Sequence, residues 1–103
     1  METAAALADP TRRRILELLV DGEVGAGALS DAFPVSRPAV SRHLRVLREA
    51  GLVTVRAQGR ERVYALDARP LRELDEWLAP YRRFWAHRLD ALDTEIRRGR
   101  QKP

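Results

Sequence analysis

The chain has 103 residues, a formal net charge of +4 and no cysteine. Such a length predicts one domain with a modest core, and the missing cysteine excludes disulfide scaffolds, thiolate metal sites and cysteine nucleophiles. No apolar run approaches the roughly 18 residues of a membrane span, and the first residues do not have the pattern of a signal peptide. We therefore expect a soluble, cytoplasmic protein.

Two helices are predicted at the start of the chain. Residues 2–8 are rich in alanine and favour a short helix. A second helix begins after Asp9, a suitable N-cap, with Pro10 in its first turn, and it ends at Asp21-Gly22. Arg12–Arg14 lie in that first turn, where the helix dipole disfavours cations. This placement predicts contact with phosphate or a partner subunit, with simple solvent exposure as the alternative.

A helix-turn-helix pattern follows between residues 25 and 50. Its first helix covers Ala28 to Phe33 and is stopped by Pro34. Its second helix begins after the N-cap Ser36 and ends at Gly51, a residue suited to the position after a helix. Two helices joined by a turn of this kind, the second of them basic, are typical of DNA-binding proteins.

The second helix of this motif has two different faces. Apolar residues recur at helical spacing on one side and predict a buried stripe: Val40, Leu44 and Leu47. The other side carries cations and one short hydroxyl, which suit a DNA major groove: Arg37, Ser41, Arg42, Arg45 and Arg48. A solvated, arginine-rich helix face is the alternative interpretation of this pattern.

Residues 52–66 alternate in polarity around Gly59 and predict a β-hairpin. Arg56, Arg60 and Arg62 near its tip predict a wing that reaches the DNA backbone or minor groove. Between Ser36 and Leu66 the sequence has seven arginines against two glutamates, a surplus larger than the +4 of the whole chain. The basic charge is therefore concentrated where a polyanion would bind.

Residues 70–98 are predicted to be helical, with a broad apolar stripe. A domain of this size cannot easily bury such a stripe, so we predict a dimer interface, with packing over the first helix as the alternative. Pro80 predicts a kink or a division into two helices near Ala79. Residues 99–103 are predicted to be a disordered basic tail. The predicted interface residues are Leu71, Leu74, Leu78, Tyr81, Trp85, Leu89 and Leu92.

These motifs resemble the ArsR/SmtB family of bacterial winged-helix transcriptional repressors. The matching stretches are residues 7–16, 41–47, 49–53, 59–60 and 64–66. The segment from Trp77 to Trp85 is similar to a subgroup without metal-sensor motifs. The resemblance implies a mainly α fold with a small β-hairpin, a winged helix-turn-helix with C-terminal dimerisation helices. It also implies a homodimer bound to an imperfect palindrome in double-stranded DNA.

The resemblance further implies roles for individual residues. The base-facing positions are those of Arg37, Pro38, Ser41 and Arg42. The residues expected to contact the DNA backbone are Ser36, His43, Arg45, Arg56, Arg60 and Arg62. His43 is alternatively a neutral surface residue. Arg37 and Arg42 each have the geometry for a bidentate pair with guanine, worth about 1–3 kcal/mol of discrimination.

The regulating ligand is the open question. Sensors of this family carry a cysteine box, which this chain lacks, and His87 and Asp90 at i, i+3 have no paired Asp-x-His element. We predict no metal or other cofactor, and any small-molecule inducer stays unidentified. The predicted action is repression by promoter occlusion, with autoregulation as one form. The alternatives are a protein-interaction module and a metal-responsive repressor; the sequence offers no catalytic constellation for an enzyme.

Overall fold

The computed structural model describes the backbone of residues 2–101 and the side chains of residues 2–88, 92 and 96. Its elements in chain order are α1 (Glu2–Ala6), α2 (Pro10–Leu19), β1 (Val24–Gly25), α3 (Ala26–Asp31), α4 (Arg37–Glu49), β2 (Val53–Gln58), β3 (Glu61–Leu66) and α5 (Arg69–Gln101). The helix-turn-helix is α3 and α4, and the wing is the hairpin of β2 and β3. The predicted winged helix-turn-helix class is confirmed.

Local capping chemistry fixes where α2 and α4 begin. The Asp9 carboxylate accepts the backbone N–H of Arg12 at 3.1 Å, and the Ser36 hydroxyl accepts that of Ala39 at 3.3 Å. Each helix also has proline in its first turn, where the missing N–H has no intrahelical partner to lose. Both N-caps are those that the sequence predicts.

The end of α4 is fixed by a glycine. Gly51 adopts a φ of +77°, a left-handed conformation that a side chain would disfavour. Its N–H donates to the carbonyl of Arg48 at 3.0 Å, and the N–H of Leu52 donates to that of Leu47 at 2.9 Å. This pair of bonds is the Schellman motif, and it turns the chain directly into the wing.

The sheet has one strand more than the sequence predicts. Its order is β1-β3-β2, all antiparallel, and β1 pairs Val24 with Tyr64 and Gly25 with Val63. A strand of two residues is too short to show any periodicity. The α3 helix also begins at Ala26 and ends at Asp31, two residues earlier than predicted, because extended Gly25 serves as its N-cap without a side-chain bond.

The hydrophobic core lies between α2, α3, α4 and the sheet. Its largest fully buried side chains are Ile15, Leu29, Val40, Leu47 and Leu52. From α5, only Leu71 packs against this cluster among the side chains that are described, and it does so at the edge. The core is therefore built almost entirely by residues 6–66, and it holds α4 from behind.

The α5 helix differs from the prediction in two ways. It runs unbroken for 33 residues, so Pro80 does not divide it near Ala79. A proline removes one helical hydrogen bond, and the turns on either side continue without it. The helix also extends past Gly99, the predicted start of a disordered tail, to Gln101, because arginine and glutamine favour helix. Lys102 and Pro103 lie outside the described residues.

The length of α5 makes the molecule elongated. The Cα radius of gyration is 18.9 Å and the longest dimension is 65 Å, whereas a compact domain of about 100 residues has a radius of gyration of about 13 Å. The helix therefore projects well beyond the core. Neither α5 nor any other helix within residues 2–101 has the combination of length and apolar character needed to cross a membrane.

Candidate nucleic-acid interface

The α4 helix separates an apolar face from a cationic one. Val40 and Leu47 are 0% exposed and Leu44 is 4% exposed, so the predicted stripe is buried in full. On the outer side, every residue predicted to face the bases is exposed to solvent: Arg37, Pro38, Ser41 and Arg42. The core therefore holds this helix rigidly while its polar groups are free to meet a ligand.

A cleft of about 440 Å³ lies between α4 and the wing. Arg45 and Arg48 border it from α4, and Arg62 borders it from β3. Ser30, Ser41 and Tyr64 also line it. Three arginines around one cleft make it positively charged, and arginine is suited to bind phosphate through several N–H donors at once.

Arg48 lines this cleft although the sequence does not predict it as a DNA contact. The sequence places it on the outer face of α4, but not among the residues expected to contact DNA. The signal for it was the helical spacing Ser41, Arg45, Arg48, which continues one stripe along the side of α4 that faces the wing. The place of Arg48 beside the cleft becomes visible only when the hairpin is known to lie next to that stripe.

The wing arginines occupy different positions. Arg60 lies in the two-residue turn between Gln58 and Glu61, and it is exposed at the tip. Arg56 is not at the tip: it lies within β2, where its Nε donates to the Glu23 carboxylate at 2.8 Å. The pattern of alternation could not show this, because Glu23 is 33 residues away in the sequence. A contact between Arg56 and DNA stays a prediction.

At the N-terminus of α4 the predicted contact residues are open to solvent. Ser36 is exposed and uses its hydroxyl as the N-cap. Arg37 lies 3.9 Å from the Asp31 carboxylate, with both side chains more than three-quarters exposed (78% and 76%). An exposed ion pair at this distance is weak. This pair therefore leaves the Arg37 side chain available to another partner at little cost.

His43 is placed differently from the other predicted contacts. It is half-buried and turned towards α2, with its Nδ1 atom 3.4 Å from Nη1 of Arg12 and 3.8 Å from the Asp9 carboxylate. The pKa of Asp9 lies below its ordinary value, first because the carboxylate accepts the Arg12 backbone N–H, and also because His43 and Arg12 are nearby charges. Contact of His43 with the DNA backbone stays a prediction.

The cations of α2 serve a purpose that the sequence analysis did not anticipate. Arg12 donates to the carbonyls of Ala5 and Ala6, and Arg13 donates to those of Leu7 and Ala8. These carbonyls lie at and after the end of α1, where a helix has unpaired acceptors and favours positive charge. The sequence signal for this capping role was an alanine-rich helix that is not followed by a glycine cap.

The α5 helix carries most of its apolar surface in contact with solvent. Trp77 and Phe84 are each 55% exposed, and Tyr81 and Trp85 are each 47% exposed. Of the predicted interface residues, Leu92 is also exposed, whereas Leu71, Leu74 and Leu78 are half-buried. The side chain of Leu89 lies outside the described residues. The predicted stripe thus has a half-buried start and an exposed continuation.

The alternative metal site rests on two residues of α5. His87 is exposed on this helix. The side chain of Asp90 lies outside the described residues, so the geometry of the pair is not described either.

The exposed arginine face of α4, its buried reverse side and the adjoining wing define a winged helix-turn-helix protein of the DNA-binding class. Comparison with known proteins agrees. A family model described as a helix-turn-helix domain matches residues 7–56. The chain is 50% identical to the HTH-type transcriptional regulator Rv2034 of Mycobacterium tuberculosis, over 82% of this chain and 76% of that protein.

A second relative and a solved structure identify the family more closely. The chain is 36% identical to the transcriptional repressor SdpR of Bacillus subtilis, over 71% of this chain and 81% of SdpR. A crystal structure of an ArsR family transcriptional regulator superposes with a TM-score of 0.73 at 32% identity, covering 82% of this chain and 88% of that one. The chain belongs to the ArsR/SmtB family of DNA-binding transcriptional regulators, which are not enzymes.

Proposed function

We propose that this protein is a homodimeric repressor that reads an imperfect palindrome in double-stranded DNA. The observation that carries the proposal is the α4 helix, whose apolar side is buried in full while its arginine side is exposed. In this proposal α4 enters the major groove, and the base edges are read by Arg37, Pro38, Ser41 and Arg42. Arginine pairs bidentately with guanine there, which gives sequence preference as well as affinity.

Contacts to the DNA backbone surround this reading face. The proposed contacts are Ser36, His43, Arg45, Arg56, Arg60 and Arg62, and the cleft beside the wing adds Arg48. Because phosphates are the same at every base pair, these contacts fix the position of α4 on the duplex and contribute affinity without sequence preference.

The exposed face of α5 supports the homodimer. Aromatic residues anchor many protein interfaces, and four of them are grouped between Trp77 and Trp85. A second copy is the partner that this chain always has available, and two-fold symmetry then presents two α4 helices to two half-sites. Their centres are expected about one helical turn, or roughly 10 bp, or a multiple of it, apart.

Repression by occlusion of a promoter is the simplest action for such a dimer. The relative SdpR is named a transcriptional repressor. We propose the same direction of control here, with the promoter of the protein's own gene as one target. A repressor of this kind requires no cofactor to bind DNA, and a small-molecule inducer is not assigned.

The test is fluorescence-anisotropy titration of the DNA upstream of the gene against a scrambled duplex of equal composition, at several salt concentrations and with or without a chelator. Arg37→Ala/Arg42→Ala is the decisive variant. The control matched for charge is Arg14→Ala/Arg72→Ala, which removes two exposed arginines of α2 and α5. We expect the wild-type chain and the control to prefer the upstream duplex, and the decisive variant to bind both duplexes alike.

Three results would count against this assignment. Unchanged discrimination by the Arg37→Ala/Arg42→Ala variant would remove these residues from base reading. Absence of binding to either duplex, and failure to enrich any sequence from a random pool, would favour a protein-interaction module. Loss of binding with the chelator would favour a metal-responsive repressor instead.

A further inference from the structure

A polar junction joins three helices behind the proposed DNA-reading face. Arg12 of α2 lies at its centre: Nε donates to the carbonyl of Ala6 at 2.6 Å, and Nη2 donates to that of Ala5 at 3.2 Å. Its Nη1 atom lies 3.4 Å from Nδ1 of His43 on α4. One half-buried guanidinium therefore contacts the end of α1 and the middle of α4 at the same time.

The geometry of the guanidinium makes this bridge directional. Its N–H donors lie in one plane at fixed angles, so two donors held by the α1 carbonyls determine where the third one points. When Nδ1 is unprotonated, His43 accepts from that third donor. The Asp9 carboxylate closes the junction, since it accepts the Arg12 backbone N–H at 3.1 Å and lies 3.8 Å from the same histidine nitrogen.

The junction adjoins the residues proposed to read bases. His43 directly follows Arg42, and both border one cleft of about 350 Å³ together with Arg12. The α1 helix packs against α5. Arg12 consequently connects α4 with the part of the molecule that carries the proposed dimer face.

We propose that Arg12 is a positioning residue for DNA recognition. It holds His43 against α2, and through His43 it sets the orientation of α4 relative to α1. Arg12 itself contacts no DNA in this arrangement. The inference rests on the proposed function, because its test measures DNA binding by α4. It adds Arg12, a residue outside the cationic face of α4, to the residues on which recognition depends.

Arg13 provides a matched control. Its Nη1 atom also donates to carbonyls after α1, those of Leu7 at 2.8 Å and Ala8 at 3.3 Å. Its described hydrogen bonds do not reach α4. Arg12→Gln and Arg13→Gln each remove one positive charge and weaken the capping of α1, but only Arg12→Gln removes the link to His43.

The experiment measures binding to two duplexes at several salt concentrations. One duplex is selected from a random pool by the wild-type chain, and the other is its scrambled counterpart. The variants are Arg12→Gln, Arg13→Gln, His43→Leu, the double variant Arg12→Gln/His43→Leu and His43→Gln, whose side-chain oxygen can still accept from Arg12. Thermal unfolding of each variant reports stability separately.

We expect Arg12→Gln and His43→Leu each to weaken binding to the selected duplex about tenfold, the loss typical of a hydrogen bond to a charged group. The double variant shows the same loss as His43→Leu alone, because Arg12 acts through His43. His43→Gln stays near the wild-type affinity, and Arg13→Gln stays within about twofold. The slope of log affinity against log salt does not change in Arg12→Gln, because that variant loses no phosphate contact.

Three outcomes would overturn the inference while leaving the proposed function intact. They are equal losses for Arg12→Gln and Arg13→Gln, additive losses in the double variant, and a salt slope reduced by about one in Arg12→Gln, which marks a phosphate contact. A wild-type chain that selects no sequence overturns the proposed function, and this inference with it.

Discussion

The helices α4 and α5 have the same kind of apolar periodicity and opposite surroundings. In α4 the stripe of Val40, Leu44 and Leu47 is at most 4% exposed, whereas in α5 Trp77 and Trp85 are 55% and 47% exposed. The first stripe is covered by α2, α3 and the sheet of the same chain. The second one extends beyond the core along a helix that makes the molecule 65 Å long.

One chain buries the apolar stripe of α4 by itself, but it leaves the aromatic face of α5 exposed to solvent. The support of α4 is complete in one chain, because its apolar side is already buried and its ends are capped by Ser36 and Gly51. The aromatic face of α5 stays exposed in one chain, and we propose that a second copy covers it. Changes in the first stripe should therefore affect the stability of one chain, and changes in the second should affect association.

The largest expected effect is on the first stripe. Leu47→Ala removes a fully buried side chain and should lower the free energy of unfolding by about 2–5 kcal/mol, because a cavity is left in the core. Val46→Ala is the control, since Val46 is 37% exposed on the same helix, and a change within about 0.5 kcal/mol is expected for it. Urea denaturation, at a protein concentration far above the dissociation constant of the proposed dimer, measures the free energy of unfolding of both variants. Similar losses for Leu47→Ala and Val46→Ala would contradict the difference in burial between the two side chains.

The second effect concerns association. Trp85→Ala should weaken the proposed dimer by about 2 kcal/mol or more, close to 30-fold in the dissociation constant, because an interface aromatic loses its contacts. Helix content should be retained, since Trp85 is 47% exposed within one chain. Sedimentation equilibrium and circular dichroism measure the two quantities. Glu76→Ala, an exposed residue of the same helix, should leave the mass unchanged.

A smaller effect is expected at the cleft beside the wing. Arg48→Ala should weaken binding to selected and scrambled duplexes by the same factor and reduce the salt slope by about one, because a phosphate contact is lost and no base contact is. Anisotropy titrations at several salt concentrations measure this. If Arg48→Ala instead altered the preference between the duplexes, Arg48 would be a reader of bases.

The smallest effect is expected at the start of α5. Asp67 accepts the backbone N–H and the guanidinium of Arg69 at the start of α5, and Arg69 lowers its pKa from 3.8 to about 2. Because the pKa is lower in the folded chain, this stabilisation is complete above about pH 4 and is lost as the pH falls through about 2. Thermal midpoints of Asp67→Asn should lie slightly below the wild-type values at pH 6 and converge with them near pH 2. A difference that persists at pH 2 would exclude ionisation as its cause.

The sequence predicted the parts of the fold that depend on local chemistry. The N-caps Asp9 and Ser36, the glycine after α4 and the buried stripe of α4 were each confirmed. These features depend on residues within a few positions of one another, so their spacing is visible in the chain itself.

What the sequence could not predict depends on distant parts of the chain meeting. The two-residue strand β1 pairs with β3 about 40 residues later. The partner of Arg56 is Glu23, and the partner of Arg12 is His43, 31 residues away. Pro80 predicted a kink or a division of the helix, and the division does not occur. The role of Arg48 likewise required the wing to be placed beside α4.

The comparison of α4 with α5 is tested most directly by the mass of the wild-type chain in solution. Sedimentation equilibrium over micromolar concentrations should give twice the mass of one chain, because we propose that a second copy covers the aromatic face of α5. The mass of a single chain throughout that range, with helix content intact, would contradict the account, since one chain would then be complete with this face exposed.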